Sequence, residues 1–227
     1  MKITISKENY LKTIAEAESE GETVIAATLA RWLNVSAPAV TMAMKRLKRD
    51  DLIQVGAEGQ LSLTIAGREI AARILQRHHL IERMLTEFFG MEWYKVHDEA
   101  ERLEHAVSED FERKLIDKLG ASEACPHGNH AIGDRPEDRR NRGLRPLSEM
   151  KDATAGQVVS IFERDRKLLE YLDEVGIKPG TYLGIVSTNY DSTTTLEVKG
   201  AYVKLGKPAA EKIWVDPQAA VRESVND

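Results

Sequence analysis

The sequence predicts a mainly α protein that ends in a small β domain. Three observations carry that reading. Helix-period apolar patterns separated by short turns fill the first half. Short β-branched runs take over after Leu147. All six histidines fall within residues 77–130. With 227 residues, 42% hydrophobic and 30% charged, the chain has the composition of a folded globular protein rather than a disordered one. Its single cysteine excludes an internal disulfide framework. No apolar run approaches the roughly 18 residues of a membrane span, so no membrane partner is expected. The polar start Met1-Lys2-Ile3-Thr4 does not read as a signal peptide, and a cytoplasmic location is expected.

Residues 6–19 carry Tyr10, Leu11, Ile14 and Ala15 at helical spacing behind Ser6 as a cap, and Gly21 ends that helix. Residues 25–33 form a second, short helix. The turn Asn34-Val35-Ser36 follows, and Ser36 caps a third helix with Pro38 in its first turn, where the missing N–H costs nothing. A short helix, a tight turn and a basic helix make a helix-turn-helix. Residues 52–55 and 61–63 alternate around Ala57-Glu58-Gly59 and read as a hairpin, the wing of a winged helix-turn-helix. A long helix is expected over 68–89, broken by Gly90. A second, continuous one is expected over 93–119, stopped by Gly120. Their apolar residues, among them Leu80, Ile81, Met84, Leu85, Phe88, Phe89, Leu103, Val107 and Phe111, exceed what two helices can hide alone, so a homodimer is expected. Residues 121–146 read as a linker with an ordered loop at its start. Strands follow at 158–162, 182–187, 193–198, 201–204 and 213–215, with one helix near 166–175, in a small barrel-like domain. The expected domains are 1–74, 75–146 and 147–227.

The formal net charge of -5 argues against a nucleic-acid partner until its distribution is considered. From Arg31 to Arg49 there are five basic residues and no acidic one. Between Leu80 and Leu119 there are six basic and eleven acidic residues. A basic patch on an acidic body suits a DNA binder that also holds cations. In that reading Ser36, Ala37, Pro38, Ala39, Thr41 and Met42 lie at the base edges of the major groove, and Lys45, Arg46, Lys48 and Arg49 reach phosphates.

His97, Glu101, Glu104 and His105 stand at i, i+4, i+7 and i+8, an arc of about 100° on one continuous helix. His78 and Glu82 repeat the i, i+4 spacing one helix earlier, and Cys125-Pro126-His127 adds a thiol and an imidazole on a loop. Imidazole and carboxylate donors on one face suit a divalent first-row metal.

The runs Arg77-His78-His79-Leu80-Ile81-Glu82-Arg83 and Lys95-Val96-His97-Asp98-Glu99-Ala100-Glu101-Arg102-Leu103-Glu104-His105, with the winged helix before them and the β domain after, resemble the diphtheria toxin repressor family of metal-dependent transcriptional regulators. The resemblance spans nearly the whole chain. It implies a homodimer that binds palindromic double-stranded DNA operators when metal is bound, and a C-terminal SH3-like or FeoA-like domain. It also implies one metal site at His78, Glu82 and His97, and another at Glu101, Glu104 and His105 with Asn9. The iron-responsive branch has cysteine in place of Glu101 and methionine in place of Asn9. The manganese-responsive branch tends to have Glu at the first of these positions and Asp at the second. Hard carboxylate oxygen at Glu101 favours Mn(II), with Fe(II) as the alternative. Lys12 stands where some manganese members have a further carboxylate, so their close two-metal site is not expected. Cys125 and His127 resemble a Cys-Pro-His loop of a three-domain manganese subgroup, which implies ligation with Glu82 and with Asp165 of the β domain.

The expected function is therefore metal-dependent repression, sensing Mn(II) or alternatively Fe(II), of metal-homeostasis genes such as uptake transporters. A metalloenzyme is the rival reading, because His/Glu clusters also serve hydrolysis and redox chemistry. No P-loop, nucleophile elbow or HExxH motif accompanies the cluster, and no catalytic residue is expected.

Overall fold

The computed structural model describes residues 3–120, 124–130 and 134–219. The outermost residues of the expected first and last domains, and residues 121–123 and 131–133 of the expected linker, lie outside these. The chain divides into two compact units. One comprises Met1–Ile81, Ala100–Glu123 and His130–Pro136. The other comprises Glu82–Glu99, Ala124–Asn129 and Glu137–Asp227.

The first unit is built on α1 (Ile5–Ser19), α2 (Ala26–Leu33) and α3 (Ala37–Arg49), followed by strands β1 (Ile53–Val55) and β2 (Leu61–Leu63). α1 starts one residue before the expected Ser6 cap, behind Thr4, whose side chain makes no capping bond. Asn34 closes α2 in the left-handed region (φ 51°), which asparagine tolerates, and Ser36 Oγ then accepts from Ala39 N to start α3. The strands pair antiparallel, Ile53 with Leu63 and Val55 with Leu61, and form the expected wing. Leu11, Ile14, Leu29, Val40 and Leu47 are fully buried and pack with Ile53 and Leu61. Each such side chain contributes about 1.5–3 kcal/mol by leaving water.

α4 (Ile65–Glu87) starts three residues earlier than expected, because Thr64 Oγ1 accepts from Gly67 N. Gly67 is there for close approach: a Cβ would lie 2.0 Å from the Leu52 carbonyl oxygen. The expected helix over 93–119 is two helices, α5 (Val96–Leu103) and α6 (Glu109–Leu119). Ser108 Oγ accepts from Phe111 N and restarts the helix after a turn at 104–107. The continuous helix expected over 93–119 places this capping serine in its interior. α4 and α5 each contribute residues to both units.

The second unit holds α7 (Pro136–Asn141, shared with the first at its first residue), β3 (Arg145–Pro146), β4 (Thr154–Ile161), α8 (Arg166–Glu174), β5 (Tyr182–Thr188), β6 (Thr194–Val198), β7 (Ala201–Leu205), α9 (Lys207–Ala210) and β8 (Ile213–Asp216). The strands form one antiparallel sheet in the order β3-β8-β4-β5-β6-β7. One amphipathic helix, α8, packs Leu168, Leu169 and Leu172 with Val158, Ile161, Ile185, Leu196 and Val215. Among the described residues, no helix is long and apolar enough to cross a membrane.

Candidate metal centre and DNA-reading helix

All ten expected DNA-contacting residues on or before α3 are exposed: Ser36, Ala37, Pro38, Ala39, Thr41, Met42, Lys45, Arg46, Lys48 and Arg49. The helix turns only Val40 and Leu47 fully inward. Its basic residues therefore stay on the outside, as a phosphate-contacting helix needs.

In the second unit five donors converge. Glu82 leaves the end of α4, His97 the start of α5, Cys125 and His127 a loop, and Glu163 the segment after β4. Glu82, His97 and Glu163 offer ligand atoms within 4.8 Å of one another, as do Glu82, Cys125 and Glu163. His97 Nδ1 lies 3.3 Å from Glu82 Oε1 and 3.6 Å from Glu163 Oε1. His127 Nδ1 lies 3.5 Å from Glu82 Oε1 and 3.6 Å from Glu163 Oε2. Cys125 Sγ donates to Glu163 Oε2 over 3.4 Å. His127 Nε2 donates to the Trp93 carbonyl at 2.9 Å, which turns Nδ1 to the cluster. All five residues are buried.

The loop is seated by backbone chemistry. Ile161 N donates to His127 O, and Asn129 Nδ2 donates to Ile161 O and to Glu163 Oε2. Gly128 makes this docking possible, with φ +83° and room for no Cβ, which would meet Val159 O at 1.9 Å. Burial, reinforced by the Glu82 and Glu163 carboxylates, pushes the Cys125 thiol well above its usual pKa. Two buried carboxylates beside two imidazoles and a thiol need positive charge among them. A divalent first-row ion supplies that charge and accepts all three donor types, so the residues fit a metal.

Asp165 is not part of this group. Its Oδ1 caps α8 by accepting from Leu168 N, and its Oδ2 accepts from Lys212 Nζ at 2.6 Å. Burial alone would raise its pKa, but the Lys212 bond and the cap hold its carboxyl below the usual range. The β-domain carboxylate at the cluster is Glu163, which sequence reasoning missed by two residues.

A second cluster lies in the first unit. α5 ends at Leu103, so Glu104 and His105 lie in the turn after it rather than inside one continuous helix with His97, although Glu104 N still donates to Ala100 O at 2.9 Å. His105 Nε2 lies 2.6 Å from Asn9 Oδ1 and 3.4 Å from Glu104 Oε1, and its Nδ1 lies 3.0 Å from Glu8 Oε2. Glu104 Oε2 accepts from His78 Nδ1 at 2.6 Å and from Lys12 Nζ at 2.8 Å. Glu101 is half-exposed, with Oε1 3.8 Å from Lys12 Nζ. Burial would raise the Glu104 pKa. The His78 hydrogen bond and the Lys12 charge outweigh it and hold the carboxyl below its usual range. Burial would likewise lower the Lys12 pKa, and Glu16, Glu104 and Glu101 together hold it raised. The structure thus brings Asn9, Glu104 and His105 together, as expected, and adds Lys12 and Glu8.

Comparison with known proteins decides the family. Residues 2–60 match the iron dependent repressor N-terminal DNA binding domain, 64–133 its metal binding and dimerisation domain, and 145–217 the FeoA domain. The chain is 33% identical over 218 residues to the diphtheria toxin repressor of Corynebacterium glutamicum, across 92% of this chain and 95% of that protein. The chain belongs to the diphtheria toxin repressor family. Another relative within reach of this family member is the iron-dependent repressor IdeR of Mycobacterium tuberculosis, 33% identical over 194 residues, covering 80% of this chain and 84% of that one. A solved manganese-dependent transcriptional repressor in complex with manganese superposes with a TM-score of 0.83 at 32% identity, covering 93% of this chain and 99% of that chain.

Proposed function

We propose that this chain is a metal-sensing DNA-binding repressor that acts in the cytoplasm as a homodimer on a palindromic double-stranded DNA operator. Its effector is Mn(II), with Fe(II) as the second candidate, and its targets are metal-homeostasis genes such as uptake transporters. The chain is not a catalyst. The domain division 1–74, 75–146 and 147–227 belongs to the same proposal.

The observation that carries the reading is the buried convergence of Glu82, His97, Cys125, His127 and Glu163 in a chain that also exposes an acid-free basic helix. These five residues would hold one ion. His78 remains a proposed ligand on its helical spacing from Glu82. Asn9, Glu104 and His105, with Glu101 beside them, would hold another. A bound dication would supply the charge that joins these donors. The residues themselves do the positioning. Glu163 and His127 tie the sheet and loop to α4 and α5, and Asn9 ties α1 to the turn after α5. Fixing α1 limits the orientations of the DNA-binding head, which shifts the population toward the binding-competent form.

Fluorescence anisotropy on promoter fragments, in chelator and then in Mn(II) or anaerobic Fe(II), tests the proposal. Sequence-dependent binding at least about tenfold tighter with metal, a difference of about 1.4 kcal/mol, is expected. Inserting half a helical turn between half-sites should abolish it. Equal binding in chelator and metal would refute the proposal.

A further inference from the structure

Lys12 is an unusual neighbour for residues assigned to metal. Only 3% exposed, it leaves α1 between the buried Leu11 and Thr13. Its Nζ lies 2.8 Å from Glu104 Oε2, 3.0 Å from His78 Nδ1, 3.8 Å from Glu101 Oε1 and 3.9 Å from Glu16 Oε1. Three carboxylates and one imidazole around a single point are the donor set of a hard divalent ion. Here that point holds an ammonium, a compact single charge on a flexible stem.

We infer that the Lys12 ammonium is a resident cation, tethered through the chain, which fills the position among His78, Glu101 and Glu104 that a divalent ion would otherwise take. The inference rests on the proposed metal-sensing function. It goes further by assigning that position to the protein's own charge. Glu104 is the divider. Its Oε2 is engaged by Lys12 and His78, and its Oε1 faces His105 Nε2, with Asn9 Oδ1 on the same nitrogen. Divalent metal in this unit is therefore confined to the His105 side of Glu104. An ion on the Lys12 side would meet a like charge in a buried setting, where screening is weak. A second consequence concerns the metal-free chain. Lys12 ties α1 to Glu104 whether or not metal is present, so part of the anchoring of the DNA-binding head is independent of the effector.

The test counts metal. Bound Mn(II) per chain is measured by equilibrium dialysis with atomic emission for the full-length wild type and for Lys12→Gln. Lys12→Gln is expected to bind one more Mn(II) per chain than wild type. A wild type that binds metal and a folded Lys12→Gln that gains none would overturn the inference alone. No bound metal in either form would overturn it together with the proposed function. A measurement on the wild type stands apart from the variant's folding. The Lys12 ammonium signal, assigned by its loss in Lys12→Gln or Lys12→Arg, is followed by proton–nitrogen correlation NMR. A slowly exchanging signal that persists from chelator to saturating Zn(II) supports a resident cation. Its disappearance on saturation would show displacement and overturn the inference.

Discussion

Glu163 and Asp165 stand two residues apart and do separate work. Glu163 meets His97, Cys125 and His127, and Asp165 caps α8 and pairs with Lys212. The expected consequence is a split between affinity and stability. Glu163→Gln should weaken Mn(II) binding by about 10- to 100-fold, the range for losing a metal-orienting carboxylate, or by more as a direct ligand. Asp165→Ala should leave that affinity within error and cost about 0.5–2 kcal/mol of stability through the lost cap. Calorimetric titration with denaturant unfolding reads both, and the reverse pattern would return Asp165 to the centre. At this scale the sequence was informative about residue type. Glu82, His97, Cys125, His127, Asn9, Glu104 and His105 were all legible as donors. The choice between two nearby carboxylates was not, because it depends on where β4 ends and α8 begins.

Helix ends fix the backbone that carries those donors. A single helix over 93–119 would put His97, Glu101, Glu104 and His105 on one arc, and periodicity alone favours it. Ser108 and the acidic turn Glu109-Asp110 after it are a start signal that favours two helices. His97 and His105 lie in different clusters, as the family resemblance implies, and eight residues of helix, about 12 Å, would separate them even without the break. The Cys125-Pro126-His127 loop depends in the same way on a single backbone position. Gly128→Ala forces a Cβ toward Val159 O at a positive φ, a strain of about 1–3 kcal/mol. It should lower the thermal midpoint and weaken metal binding together, as His127 moves off Glu82 and Glu163. A variant with wild-type metal affinity would show that the loop is not needed to present His127.

For the whole molecule, metal is a ligand of the folded chain, and mass action sets what it does to stability. Free Mn(II) at 100 times its Kd should stabilise the fold by about 2.7 kcal/mol, and excess chelator should reverse the shift. Thermal unfolding followed by circular dichroism checks this, and a midpoint indifferent to both additions would count against any buried metal. The sequence by itself determined the order of parts: winged helix, helical body, β domain. It did so because each rests on local signals, namely turn chemistry at Asn34 and Ser36, helical period through residues 68–89, and β-branched alternation after Leu147. It also determined that donors for a cation would be plentiful between residues 78 and 127. Only the tertiary structure decided which donors meet. Glu82 and Glu163, or Lys12 and Glu104, are far apart in the chain, and their pairing follows from how buried apolar faces pack, which no spacing rule along one strand or helix encodes.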